Sequence, residues 1–253
     1  MSRDESFRQD IVRYSHRLHA SGWVANHDGN LSARLDDGRL LCTPTAVSKG
    51  DVQPGWLIVV AEDGSVVEGT RRAFSELQLH RAAYAARPDI SVVIHSHPPV
   101  CCGYAVAGVP LPYPLLAEPV VSLGPEIPMV PYIRTGQPEL ADAIGLALQT
   151  ADVVLLERHG VLAVGGSFEQ AYLRMELLEH QAKIAMNASV IGQVRLLPQS
   201  EIDALAKKGR PPSTPSRPAE PAVSQRSATT VQRDAPPTPN VAAMVGDALK
   251  RFS

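Results

Sequence analysis

The chain has 253 residues, 44% of them apolar, with 24 basic and 26 acidic side chains for a formal net charge of -2. That length accommodates a core of good size, as one large domain or two small ones, and the near-neutral charge gives no electrostatic reason to expect nucleic acid. The charged start MSRDESFRQD lacks an apolar leader and no later stretch is an unbroken apolar run of membrane-spanning length, so the expectation is a cytoplasmic protein, off the membrane, whose partners are small molecules or copies of itself.

Residues 6–20 carry Phe7, Ile11, Val12 and Leu18 close to helical spacing, with Gly22 beyond them as a stop. Residues 30–35 and 40–45 flank Asp36-Asp37-Gly38-Arg39, and 57–61 and 65–68 flank Glu62-Asp63-Gly64, which predicts two hairpins and an antiparallel beginning. Residues 75–86 turn helical, with Ser75 as the expected N-cap and Glu76 set against the positive end of the helix dipole. Residues 91–97 read as a buried, β-branched strand stopped by Pro98-Pro99, because proline has no amide to donate. A strand at 127–132, a helix at 138–149 and strands at 153–156 and 161–164 follow. The longest helix is expected over 167–189, where Phe168, Ala171, Tyr172, Met175, Leu178, Ala182 and Ala185 form an apolar stripe for the core. Cys42, Cys101 and Cys102 cannot all pair, and none stands in a C-x-x-C spacing. They are read as reduced thiols, Cys101 and Cys102 packed on a helix.

From about residue 209 the composition shifts to Pro, Ser, Thr, Ala and Arg, too poor in apolar surface to offset the entropy of ordering. The expected organisation is a compact domain over 1–208, a disordered linker over 209–240 and a short amphipathic helix over 241–253.

The chemistry begins at the end of the 91–97 strand. Residues two apart in a strand point to one face, so His95 and His97 present their imidazoles side by side, about 6.6 Å apart along the backbone. Catalytic zinc takes imidazole nitrogens at roughly 2.0–2.1 Å and typically has three protein ligands and one open position. His159 is the candidate third ligand, at the end of the apolar run 153–156 and next to Gly160, which lets the backbone turn tightly. Zinc is the first choice, with Mn2+, Fe2+ and Co2+ open. His16, His19 and His180 lie on expected helices without a ligand set, and His27 sits in a turn where it is placed to touch substrate. His80 stands four residues after Glu76, so the two share a helix face, either as a hydrogen-bonded pair or as a helper for the metal.

Asp28-Gly29-Asn30-Leu31-Ser32, Thr43-Pro44-Thr45, Ser75-Glu76, His95-Ser96-His97 and Arg158-His159-Gly160, taken in this order and spacing, resemble the class II aldolase and adducin family, of the fuculose-phosphate aldolase and ribulose-phosphate 4-epimerase type. The resemblance runs over roughly residues 6–195 and makes 1–208 the catalytic domain. It implies a three-layer α/β/α sandwich around a mostly antiparallel sheet, and a homotetramer with active sites between subunits. By position, His95, His97 and His159 match the metal ligands and Glu76 the acid/base carboxylate. Gly29, Asn30, Thr45 and Ser75 match residues that hold a substrate anion, while Ala46 stands where the family has glycine and Phe74 where it has a serine. Tyr113, between Pro112 and Pro114, is the candidate for a proton donor lent by the neighbouring subunit.

The reaction implied is retro-aldol cleavage or epimerisation of a short ketose or ketose phosphate, with the metal as the Lewis acid that stabilises an enediolate. Phe74 and Ala46 make the anion end less polar and favour a second activity on the same machinery, decarboxylation of a hydroxy-acid or of a dihydroxy-aromatic acid stacked there. A non-catalytic scaffold of the adducin-head kind is the third alternative. The retained histidines and glutamate argue against it.

Overall fold

The computed structural model describes residues 2–209. Apart from Gly209, the linker and terminal helix expected over 209–240 and 241–253 lie outside the described residues.

Eight strands make one sheet: β1 (Asn30–Arg34), β2 (Leu40–Cys42), β3 (Ile58–Val60), β4 (Val66–Glu68), β5 (Val92–Ser96), β6 (Met129–Val130), β7 (Val153–Leu156) and β8 (Val161–Gly165). Their order is β4-β3-β2-β1-β5-β8-β7-β6. All neighbours run antiparallel except β6 and β7. The two hairpins expected from Asp36-Asp37-Gly38-Arg39 and Glu62-Asp63-Gly64 are β1–β2 and β3–β4.

Seven helices are described: α1 (Arg3–Ala20), α2 (Leu77–Ala86), α3 (Pro99–Ala107), α4 (Ala117–Leu123), α5 (Pro138–Ala147), α6 (Phe168–Ile191) and α7 (Gln199–Ala206). The strands' period of two sorts side chains into two cores, one on each face of the sheet. Leu31, Ala33, Val92, Ile94, Val161 and Ala163 pack with Ile11 and Leu18 of α1 and Tyr172 and Met175 of α6. Val93, Val154, Leu162 and Val164 face the other way, onto Leu79 and Ala83 of α2 and Ile144 of α5. The result is the three-layer α/β/α sandwich that the resemblance implied, with a mostly antiparallel sheet.

Three elements depart from the sequence expectation. The strand expected over 127–132 contracts to Met129–Val130 and pairs parallel to β7, because Pro128 and Pro131 bracket it and proline cannot extend a ladder. Ser75 is not the cap of α2: Glu76 holds the N-cap position without a side-chain cap bond, and the helix starts at Leu77. Pro98-Pro99 does more than end β5, since Pro99 opens α3 at the one helical position where proline loses nothing.

Candidate metal centre

His95 lies on β5 and is fully buried on the sheet face that carries α2. Its Nδ1 is 3.0 Å from the carbonyl of Val161 on the adjacent strand β8; the carbonyl accepts the Nδ1 proton, so Nε2 is left bare. His97 stands just past the strand end, where its backbone N–H donates to the Trp23 carbonyl at 2.8 Å. Its Nδ1 faces the Asp28 carboxylate at 3.4 Å, which again leaves Nε2 bare. His159 sits in the tight β7–β8 connection. The strained backbone there belongs to Arg158, with φ at 55°, and not to Gly160 as expected.

Gly160 has another purpose. A Cβ on it would lie 2.5 Å from Cδ2 of His97, 2.6 Å from the Ser96 carbonyl and 3.0 Å from Cε1 of His95. The absent side chain is the space into which the imidazoles fit.

The three rings converge, with ligand nitrogens all within 4.8 Å of one another and ring centroids 4.6, 5.0 and 5.4 Å apart. The two bare Nε2 atoms of His95 and His97 are 3.1 Å apart, close to the about 3.3 Å expected for two nitrogens on one tetrahedral zinc. Lone pairs at that distance repel unless a cation or proton separates them. Burial pushes both rings' pKa below the ordinary histidine value, against the attraction of Glu76 for His95 and of Asp28 for His97, so a proton is disfavoured and the donor set fits a divalent cation.

Glu76 completes the cluster from the start of α2. Its Oε1 lies 2.7 Å from Nε2 of His159 and its Oε2 3.5 Å from Nε2 of His95. Burial raises this carboxyl, but the hydrogen bond from His159, attraction toward His95 and the Asn30 amide together hold it below the usual carboxylate range. It is therefore ionised and in reach of whatever the histidines hold. Among the described residues, no other group of His, Cys, Asp and Glu has metal-ligand spacing. His16 bonds the Val52 carbonyl instead.

The profile of the family described as Class II Aldolase and Adducin N-terminal domain matches residues 9–186. The chain belongs to the class II aldolase and adducin family. It is 31% identical over 202 residues to the 5-deoxy-D-ribulose 1-phosphate aldolase of Bacillus thuringiensis serovar kurstaki, a match covering 79% of this chain and 94% of that one. With the 3-oxo-tetronate 4-phosphate decarboxylase of Cupriavidus necator it shares 36% over 190 residues, 74% of this chain and 86% of the relative. A solved L-fuculose 1-phosphate aldolase superposes with a TM-score of 0.74 at 28% identity, covering 82% of this chain and 97% of that one.

The class II aldolase motifs are brought to the centre unevenly. Gly29, with φ at 69°, carries the turn beneath it, and a Cβ there would meet the His95 carbonyl at 2.9 Å. Asn30 is buried, its Nδ2 donating to Glu76 at 2.8 Å and its Oδ1 2.6 Å from Nε2 of His80. The amide is thus held inside the protein and is not turned outward as an anion ligand. His80 and Glu76 are not bonded directly, since Asn30 stands between them. Thr45 is half-buried and Ser75 exposed, both free of side-chain bonds to the histidines among those described. Ala46 takes the left-handed φ of 57°, the conformation for which the family's glycine is suited.

Phe74 is 7% exposed and packs its ring 5.0 Å from that of His80. It faces the core and offers no platform for an aromatic substrate, contrary to expectation. Arg71 stacks 4.2 Å over Trp56. The Tyr113 hydroxyl donates to the Gly124 carbonyl at 2.7 Å, and burial raises its pKa, so within its own chain this phenol is a poor acid. His27 is exposed.

Two residues near the site were given no role by the sequence. Asp28 sits inside the Asp-Gly-Asn motif, but its role appears only when the turn swings it beneath His97. Lys49 is 2% exposed and donates to the carbonyls of Val47 at 2.9 Å and His27 at 3.3 Å, tying the loop after β2 to the turn before β1. Burial lowers it to about 8, against the attraction of Asp28 and Glu76. A cavity of about 210 Å³ opens beside His159, walled by Tyr132, Ile133, Arg134 and Arg158.

Proposed function

We propose that this chain is a metal-dependent aldehyde-lyase of the class II aldolase type, cleaving a short ketose phosphate in the cytoplasm as a homotetramer. The observation that carries it is the convergence of three imidazole nitrogens within 4.8 Å of one another, with the Glu76 carboxylate 2.7 Å from one of them. A divalent cation held by His95, His97 and His159, zinc by first choice, would supply Lewis-acid stabilisation of an enediolate. The Val161 carbonyl and Asp28 fix the tautomers of His95 and His97, so that neutral nitrogens face the cation. Glu76, ionised at rest, carries the proton to and from the enediol carbon. Gly29, Thr45 and Ser75 remain the candidates for holding the substrate's anion, and Tyr113 for donating a proton across a subunit interface.

The two relatives' substrates support one intermediate. Breaking the bond to the aldehyde carbon in 5-deoxyribulose 1-phosphate, or to the carboxylate in 3-oxo-tetronate 4-phosphate, leaves the same enediolate of dihydroxyacetone phosphate. Only the leaving group differs, acetaldehyde in one case and carbon dioxide in the other. Decarboxylation is therefore the second reading, favoured by the 36% identity to the Cupriavidus necator enzyme. The inward turn of Phe74 takes support from its aromatic-acid version.

The test is metal analysis of the purified chain, then turnover of both substrates with acetaldehyde and CO2 detected separately. His97→Ala should lose metal and activity together. Glu76→Gln should keep metal and lose on the order of 10²–10⁴ in rate; a fully active Glu76→Gln enzyme refutes its role. Sedimentation of the same preparation should find a tetramer.

A further inference from the structure

One helix stripe and one strand face meet beneath the centre. Glu76, His80 and Tyr84 recur every four residues along α2, and Asn30 and Ser32 lie two apart on β1. Asn30, Ser32, His80 and Tyr84 are all buried, so each polar atom must find its partner within the protein.

From Glu76 through Asn30 and His80 to Ser32, the contacts leave a single consistent assignment of protons. A carboxylate only accepts, so the Asn30 atom 2.8 Å from Glu76 Oε2 is the amide NH2. The atom facing His80 at 2.6 Å is then the amide oxygen, and His80 must donate from Nε2. A neutral ring has one N–H, so Nδ1 is bare and accepts from the Ser32 hydroxyl at 2.7 Å. With the Ser32 proton committed to His80, Tyr84 is the donor toward Ser32, whose hydroxyl and carbonyl both lie 2.9 Å from the phenol oxygen, with the Ser91 carbonyl at 3.4 Å. Burial holds His80 down at about 3, and Phe74 covers its ring, so the ring does not switch to a double donor near neutral pH.

We propose that Asn30 and His80 are positioning residues: the buried chain Tyr84–Ser32–His80–Asn30 fixes the direction of the amide that aims Glu76 at the metal centre. It rests on the assignment of Glu76 as proton carrier. Without the N–H of His80, the Asn30 amide is free to flip and present its oxygen to Glu76, where two acceptors repel and the carboxylate swings away. Phe74 thereby gains a purpose where the family has a serine, shielding the ring from water.

The test compares full-length His80→Leu and His80→Gln, since glutamine returns an N–H near the place of Nε2. His80→Leu should lower kcat about tenfold or more, with KM within twofold and metal content unchanged; His80→Gln should recover most of the loss. Unchanged kcat in His80→Leu overturns the proposal, as does a His80→Gln variant no better than His80→Leu. Should the wild-type chain turn over neither substrate, the lyase assignment alone fails, and nitrogen NMR of the His80 ring decides the positioning claim. A neutral ring protonated at Nε2 at pH 7, mixing tautomers in Asn30→Ala, supports it. A ring protonated at Nδ1, or at both nitrogens, overturns it.

Discussion

At the scale of single residues, the centre depends as much on missing atoms as on ligands. A methyl group on Gly160 would overlap His97 and the Ser96 carbonyl and crowd His95, and contacts of 2.5–2.6 Å cannot be relieved without moving a ring or the Ser96 backbone. Gly160→Ala should therefore fold but bind its cation at least tenfold more weakly, as titration of the chelated protein would measure. Wild-type affinity in this variant would mean that the rings have more room than their packing indicates. The histidines themselves were legible in the sequence because H-x-H at a strand end, a weak sign alone, is joined downstream by His159-Gly160 after a second apolar run. Asp28 and the Val161 carbonyl were not, because each acts by where a turn or a neighbouring strand delivers it. Asn30 was legible as a site residue, but its orientation was not: only the atoms around it decide which end of an amide points where.

Among the elements, the longest and most periodic were readable and the short ones were not. The helix expected over 167–189 is Phe168–Ile191, with Ser167 capping it by accepting from the Gln170 amide, since twenty-odd residues of apolar stripe leave no competing reading. The helices Ala117–Leu123 and Gln199–Ala206 are too short for a pattern to rise above its surroundings, and their stability comes from packing, the first on α6 and the second on the first. One joint between elements carries unusual weight. The fully buried Glu179 of α6 accepts from the amides of Val100 and Cys101 at 3.2 and 3.0 Å, at the start of α3. It thereby anchors the helix that begins two residues after His97. Glu179→Ala would leave those amides buried without a partner, and should cost about 1.5–3 kcal/mol in denaturant unfolding. A loss below about 0.5 kcal/mol would show that water or the chain replaces the carboxylate.

On the scale of the whole molecule, the buried histidines couple stability to acidity. His80 is held near 3 by burial, against about 6.5 in an unfolded chain. Its contribution is therefore complete above pH 6.5 and is lost progressively as the pH falls toward 3, where the unfolded chain binds a proton that the folded one refuses. The unfolding free energy of the chelated protein, from denaturant titration, should drop between pH 7 and pH 4, by an amount on the order of a few kcal/mol across the full window. In His80→Gln the slope should be shallower. An equal slope would assign the effect to other groups.

The pairing of Asn30 with His95 directly across β1 and β5, with Val161 on the next strand receiving the His95 proton, makes three strands meet at one point of the centre. A slip of β5 along β8 by one residue would set Ile94 or Ser96 in His95's place and turn the imidazole into the opposite layer. A cation held by His95, His97 and His159 would bind only the correct alignment of β5 on β8 and so latch that register, favouring the intended pairing by about 2.7 kcal/mol at a hundred times its dissociation constant. A sheet this size has many ways to assemble wrongly, and such a cation would recognise only the correct one.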